Sequence, residues 1–146
     1  MIVKATSKDV EAIASLALKL WPGHDIGELI EEFQQLLCKN DACIFLAKSD
    51  GKTVGFAQCQ LRFDYVEGTQ TSPVGYLEGI FVEQNFRGKG ISKQLLANCQ
   101  SWAKENGCSE FASDCELSNT ASQAFHKSAG FVEANRIVCY VKKLQS

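Results

Sequence analysis

Between Arg87 and Ser92 the chain reads RGKGIS: two cations and two glycines where a strand-like apolar run hands over to a helical pattern. The first backbone N–H groups of a helix have no partner within it, and the helix dipole adds positive potential at the same point. A glycine-containing strand-to-helix turn is therefore a ready anion site. Gly88 and Gly90 let the main chain come close to a ligand, and Arg87 and Lys89 add charge. Two familiar phosphate loops are excluded. A nucleotide-triphosphate loop needs G-x-x-x-x-G-K-[ST], and a dinucleotide fingerprint needs a third glycine where Lys93 stands. A capped, solvated turn is the competing reading of these residues alone.

The elements that must position this turn can be read from periodicity. TSKDVEAIASLALKLW is helical, with Thr6 or Ser7 as cap and Val10, Ile13, Ala17 and Leu20 on one face, and Pro22-Gly23 stops it. IGELIEEFQQLLCK is a second amphipathic helix, with Leu29, Phe33, Leu36 and Leu37 inward and Glu28, Glu31, Glu32 and Gln35 largely outward. CIFLAKSDGKTVGFAQCQLRF is a hairpin turned by Asp50-Gly51. DYVEGTQTSPVG is a polar loop. YLEGIFV is a strand in which Gly79 signals a bulge or a close backbone approach. Ile91, Leu95, Cys99, Trp102 and Ala103 trace a helix ended by Asn106-Gly107. SEFASDCEL is strand-like, Asn119 caps a short helix running to Ala129, and RIVCYVKKL is a last strand. With IVKAT as the first strand the order is β, α, α, β, β, β, α, β, α, β, a mixed α/β or α+β sandwich.

At 146 residues, 45% apolar and 22% charged, the composition is that of one soluble globular domain, residues 1–146. A net charge of −2 argues against a nucleic-acid partner, which needs a broad cationic face. No apolar run approaches a membrane span. The opening residues carry no cationic leader with an apolar block, so the cytoplasm is the expected location. Seven cysteines, odd in number and never C-x-x-C, speak against a zinc site or disulfide framework and for reduced structural thiols. No metal is expected.

Arg87-x-x-Gly90-x-Ser92 after a strand, followed by NTASQAFHKSAGF, resembles the GNAT superfamily of acetyl-CoA-dependent N-acetyltransferases. That family's loop reads Arg/Gln-x-x-Gly-x-Gly/Ala, and its later helix begins with Asn and ends in Gly-Phe, as Asn119, Gly130 and Phe131 do here. Ser92 departs from the final Gly/Ala, and His126 stands where many members carry a Tyr that protonates the departing thiolate. RFDYVEGTQTSPVGYLEGIFV, Leu20-Trp21 and EFASDCELSN look more narrowly like the aminoglycoside 6'-N-acetyltransferases. The resemblance implies the GNAT fold, a mostly antiparallel central sheet flanked by helices with splayed parallel cofactor strands. It also implies a homodimer.

For the site, it implies acetyl-CoA on Phe81, Val82, Glu83, the turn Arg87, Gly88, Lys89, Gly90, Ile91 and Ser92, and Asn119. It places a small cationic amine among Trp21, Tyr65, Glu78 and Asp114, with a further acidic contact falling at Asn135. Glu133, two residues earlier, is the candidate substitute. Pyrophosphate would rest on the turn, the pantetheine arm would extend the sheet along Phe81 to Glu83, and the Val82 N–H would polarise the thioester. Because an alkylammonium arrives protonated, Glu78 or Asp114 would remove a proton directly or through water. The competing readings are a surface strand residue for Glu78, a strand-end turn former for Asp114, a helix cap for Asn119 and a satisfied histidine for His126. No cysteine stands at the turn or beside a base, which favours direct attack in a ternary complex over an acyl-enzyme. The rivals are the same chemistry on a polyamine or protein N-terminus, and a non-catalytic acyl-CoA-binding module.

Overall fold

The computed structural model describes residues 1–145, which fall into two compact units, residues 1–114 and 115–145. The first holds β1 (Ile2–Lys4), α1 (Val10–Leu20), α2 (Ile26–Leu37), β2 (Ala42–Ser49), β3 (Lys52–Arg62), β4 (Val74–Val82), α3 (Ile91–Glu105) and β5 (Phe111–Ser113). The sheet order is β1-β2-β3-β4-β5, antiparallel throughout except for the parallel pair β4–β5. This is the mixed, mostly antiparallel sheet expected.

Local chemistry explains the elements. Thr6 and Asp9 form a reciprocal capping box ahead of α1, and the Asp25 carboxylate accepts the Glu28 N–H at the start of α2 (3.1 Å). The β2–β3 turn places Asp50 at φ 50 and Gly51 at φ 77, the pair of left-handed residues that a tight hairpin turn demands. The alternation of β2 and β3 then separates two apolar layers. Ile44, Leu46 and Phe56 pack with Ile13, Ala14, Ala17, Leu29 and Phe33 of α1 and α2. Cys43 and Cys59 face each other across β2 and β3 on the other side, where a hydrogen bond donated to Cys59 and burial push the Cys43 thiol far up. Cys99 of α3 interacts with Cys59 in turn. Four of the seven cysteines, Cys43, Cys59, Cys99 and Cys108, are buried, where a free thiol packs as a small apolar side chain, and Cys38, Cys115 and Cys139 are exposed.

Two sequence expectations shrink. The strand expected across SEFASDCEL is only Phe111–Ser113, because only Gly75 to Leu77 of β4 pair with it. Past Leu77 that side of β4 has no strand beside it in the sheet order, which is the splay. The strand expected over RIVCYVKKL does not form: residues 131–145 belong to no helix or strand. A strand exists by pairing, and unit 115–145 contains only α4 (Thr120–Ser128), with no second extended segment to pair with. Its Ile137, Val138, Tyr140, Val141 and Leu144 are all exposed.

Candidate active site

β4 carries the site at both ends. Gln58 faces Gly79 and Cys59 faces Leu77, so Glu78 is an extra residue between them, a β-bulge. Gly79 answers both halves of its sequence reading. It borders the bulge, and a Cβ there would lie 2.6 Å from the Trp21 ring. Trp21, the residue ending α1, therefore lies directly on the β4 backbone, with its ring edge-on to Phe56 at 6.3 Å.

A cavity of about 210 Å³ opens beside this contact, lined by Trp21, His24, Leu29, Glu32, Phe33, Leu36, Gln58 and Glu78. Trp21 and Glu78 are thus brought together as expected. Glu32, read as outward-facing, lines the same cavity, and so does His24 of the segment between α1 and α2.

Glu78 is not alone. The Arg62 guanidinium at the end of β3 donates from Nε to Oε2 (3.1 Å) and from NH2 to Oε1 (2.9 Å) and Oε2 (3.0 Å). The same guanidinium lies 3.4 Å from the centroid of the Tyr76 ring, and the Tyr76 hydroxyl donates a short hydrogen bond to the Asp114 carboxylate. Burial raises the Glu78 pKa above the ordinary carboxylate value, and Arg62 opposes that rise. Burial and the Asp114 carboxylate push the Tyr76 phenol far up, so it stays a donor. Glu78 and Asp114 are therefore joined through Arg62 and Tyr76.

Sequence reasoning missed those two linking residues. Tyr76 was findable, two positions before Glu78 on one strand. Arg62 was not, because a long loop rather than a tight turn joins β3 to β4 and leaves their register open.

At its other end β4 presents main chain. The Glu83 N–H donates to Val54 O (2.8 Å), so the facing pair Gly55 and Val82 is the kind that exchanges no hydrogen bonds with each other. The Val82 N–H and C=O therefore point away from β3, toward the splay. The Val82 carbonyl accepts from Arg87 Nε at 2.8 Å, and the Arg87 guanidinium lies 5.4 Å from the Phe81 ring centroid. Arg87 thus braces the turn to the strand as well as charging it. Lys19 of α1 pairs with Glu83 at 2.5 Å.

Gly88 and Gly90 sit at φ 79 and φ 81, and Gly90 begins α3 with no side-chain cap over the helix N-terminus. A Cβ at Gly90 would meet no atom of the chain within 4 Å, which leaves the space over the helix start open. The glycine is required by its left-handed backbone. Ile91 and Ser92 form the first turn of α3, and Lys89 lies over the Phe86 ring at 5.2 Å. The uncapped helix start and the outward Val82 N–H fit a phosphorylated thioester co-substrate.

The remaining candidates have their own surroundings. Tyr65 is 75% exposed in the β3–β4 loop, where its hydroxyl accepts the Gly68 N–H at 3.3 Å, and it does not line the cavity. In unit 115–145, Asn119 caps α4 by accepting the Ser122 N–H (3.0 Å). His126 Nδ1 lies 2.7 Å from Ser122 O. A carbonyl can only accept, so that nitrogen carries the proton. The ring sits 5.6 Å from the Phe125 ring and 5.0 Å from the Phe131 ring. Asn135 Oδ1 accepts the Arg136 N–H, and Glu133 pairs with the Arg136 guanidinium at 3.0 Å. Among the described residues no cluster of His, Cys, Asp and Glu suits a metal ion, and no helix is long and apolar enough to cross a membrane.

Comparison with known proteins adds a consistent set of relatives. The family model for the acetyltransferase (GNAT) family matches residues 10–131. Aminoglycoside N(6')-acetyltransferase type 1 of Stenotrophomonas maltophilia is 43% identical over 99% of this chain and 94% of that protein. The Serratia marcescens protein of the same name is 39% identical over 99% of both. A solved structure of aminoglycoside N-acetyltransferase AAC(6')-Iy in complex with CoA superposes with a TM-score of 0.95 at 39% identity, covering 99% of this chain and 95% of that one. A structure of the same enzyme with a bisubstrate analogue, CoA-S-monomethyl-acetylneamine, gives 0.94 at 39% identity, covering 99% and 98%.

Proposed function

We propose, from the premise that the chain belongs to the acetyltransferase (GNAT) family and within it to the aminoglycoside N(6')-acetyltransferases, that it transfers the acetyl group of acetyl-CoA to the 6'-amine of an aminoglycoside. Such a reaction inactivates the drug and confers resistance. The observation that carries this reading is the bulge. It aims Glu78 into the Trp21 cavity, four residues before a Val82 N–H that faces the splay.

The acetyl donor's pyrophosphate rests on the N–H groups from Arg87 to Ser92. Its pantetheine arm runs along Phe81 to Glu83 and takes the strand position that β5 leaves open. The Val82 N–H supports charge on the thioester oxygen during attack. Glu78, with Asp114 coupled to it through Arg62 and Tyr76, holds the cationic amine and removes its proton directly or through water. Trp21 forms an apolar wall for a sugar ring, and Tyr65 is assigned to the substrate on the resemblance. So are Asn135 as a polar substrate contact, Asn119 as a pantetheine contact and His126 as the acid for the thiolate. Glu133 is a weaker candidate than its charge suggests, because Arg136 already holds it. No acyl-enzyme is invoked: amine and thioester react in one ternary complex.

We treat residues 1–146 as one catalytic module, since the family match runs through both compact units. The exposed apolar side chains between Ile137 and Leu144 support a homodimer in which a second copy covers them. Use of acetyl-CoA supports a cytoplasmic enzyme.

The deciding experiment is a thiol-release assay with acetyl-CoA and a drug panel. Kanamycin-type drugs with a 6'-amine are expected to release CoA, and matched analogues with a 6'-hydroxyl are not. A site built to pair a polar group discriminates strongly against its absence. Equal rates on both would overturn the regiochemistry. Release with spermidine and with no aminoglycoside would put a polyamine in the drug's place.

A further inference from the structure

The proposed reaction uses a carboxylate at Glu78 but does not explain Arg62. This arginine sends three hydrogen bonds to a carboxylate whose side chain is only 18% exposed, and it stacks face-on against Tyr76. A surface ion pair forms loosely and contributes little. Here the guanidinium is fixed from two directions, by the fork on Glu78 and by the ring beneath it. Arginine's planar fork suits that double constraint and lysine's point charge does not.

We infer that Arg62 is a positioning residue that keeps Glu78 ionised and aimed into the Trp21 cavity until the cationic amine arrives to share it. The inference rests on the proposed amine chemistry only for its last clause; the clamp itself is a property of the free enzyme. A bulge residue lacks the ladder partner that would fix its direction, so something else must fix Glu78, and the fork does. The charged and titratable groups around Glu78 are Arg62 on β3, Tyr76 on β4, Asp114 after β5, Glu32 on α2 and His24 before it. Among these groups only Arg62 is a fixed cation. Burial and Asp114 both favour the protonated acid, and Arg62 opposes them. Removing the guanidinium should therefore make Glu78 a weaker acid, and its anion should survive only at higher pH.

The test follows the Glu78 carboxyl carbon by NMR in the full chain labelled with 13C-carboxyl glutamate, with Glu78→Gln identifying the resonance. An opposite charge at this range shifts a carboxylate by about 1–3 units, and partial exposure reduces that. Arg62→Met and Arg62→Gln should each raise the titration midpoint by about one unit, roughly tenfold in the protonation equilibrium. Arg62→Lys should recover at least half of the shift. The acidic limb of kcat/KM for the amine should move by the same amount, with activity returning at higher pH, a signature that a packing defect alone does not give. An unmoved midpoint in whichever neutral variant folds overturns the inference, and so does a shift that lysine leaves untouched. If the wild-type enzyme acetylated no aminoglycoside, the proposed function would fall while the titration still decided the role of Arg62.

Discussion

The two ends of β4 are built by opposite means. The Val82 end presents main chain: a helix start without a side-chain cap, two glycines with positive φ and an outward N–H, which the proposed function gives to an anion. The Glu78 end presents side chains, a carboxylate on a bulge held by Arg62 and linked through Tyr76 to Asp114, which the proposed function gives to a cation. Backbone donors cost no rotamer entropy and cannot titrate, so the anion end is insensitive to pH and to most substitutions. The cation end can bind and also change protonation, which a proton-removing site requires, and it needs supporting residues to stay in place.

Breaking that contrast should be easiest at the side-chain end. Glu78→Gln keeps shape and removes both charge and basicity, so kcat should fall about 10²- to 10⁴-fold. Asp114→Asn should cost less, because Asp114 lies after the strand end and reaches Glu78 through Tyr76 and Arg62. Steady-state kinetics with acetyl-CoA saturating would check both. Full activity in the two variants would remove the carboxylates from the mechanism. Because the Glu78 pKa is raised, the unreactive protonated form persists to a higher pH than for an ordinary carboxylate, so activity should be lost as pH falls through that raised value.

At the main-chain end the largest effect should come from Gly90→Val. A β-branched residue at φ 81 costs about 1–3 kcal/mol in backbone strain. The turn must relax away from the anion, and KM for acetyl-CoA should rise about tenfold or more while KM for the amine holds. Arg87→Ala should do less to the charge than to the brace, since its Nε also holds the Val82 carbonyl. An unchanged acetyl-CoA KM in the Gly90 variant would mean that the turn does not carry the pyrophosphate.

These two ends were not equally legible in the sequence. The main-chain end announces itself, because glycine spacing, a strand ending and a helix beginning are all local signals. The hairpin at Asp50-Gly51 and the cap at Thr6 were legible for the same reason. The side-chain end depends on register. Glu78 was visible on its strand and Gly79 hinted at the bulge, but the arginine that holds Glu78 depends on how β3 pairs with β4, which no tight turn fixes. Trp21 came from a resemblance and is explained by Gly79, whose missing side chain makes room for the ring. The strand expected over residues 136–144 rested on the apolar run from Ile137 to Val141, and it does not form, because an apolar run cannot supply the pairing partner a strand needs.

Gly79 gives a finer probe of the contact between the cavity and the strand. An added methyl would sit 2.6 Å from the Trp21 ring and 3.3 Å from Leu20. Gly79→Ala should push the ring off the sheet at a cost of about 1–3 kcal/mol. KM for the drug should rise several-fold, with acetyl-CoA KM nearly unchanged, because Val82 and the turn lie beyond the disturbance. A parallel rise in both would mean that the two ends are coupled through the strand.

The smallest expected effect is that of salt, and it tests the contrast most directly. A polycationic drug meets Glu78, Asp114 and Glu32 from solvent, and attraction between partly exposed charges is screened once the Debye length falls to about 8–10 Å near physiological ionic strength. Raising salt from low to moderate concentration should therefore raise the drug KM by about two- to threefold. Catalysis at saturating drug should hold, since the Arg62–Glu78 clamp is half-buried and screened less. The proposed acetyl-CoA site offers N–H groups and glycines as well as Arg87 and Lys89, so its KM should rise with a gentler slope. Equal slopes for the two substrates would show that both ends of β4 bind by long-range charge, and the division between a main-chain end and a side-chain end would lose its functional meaning.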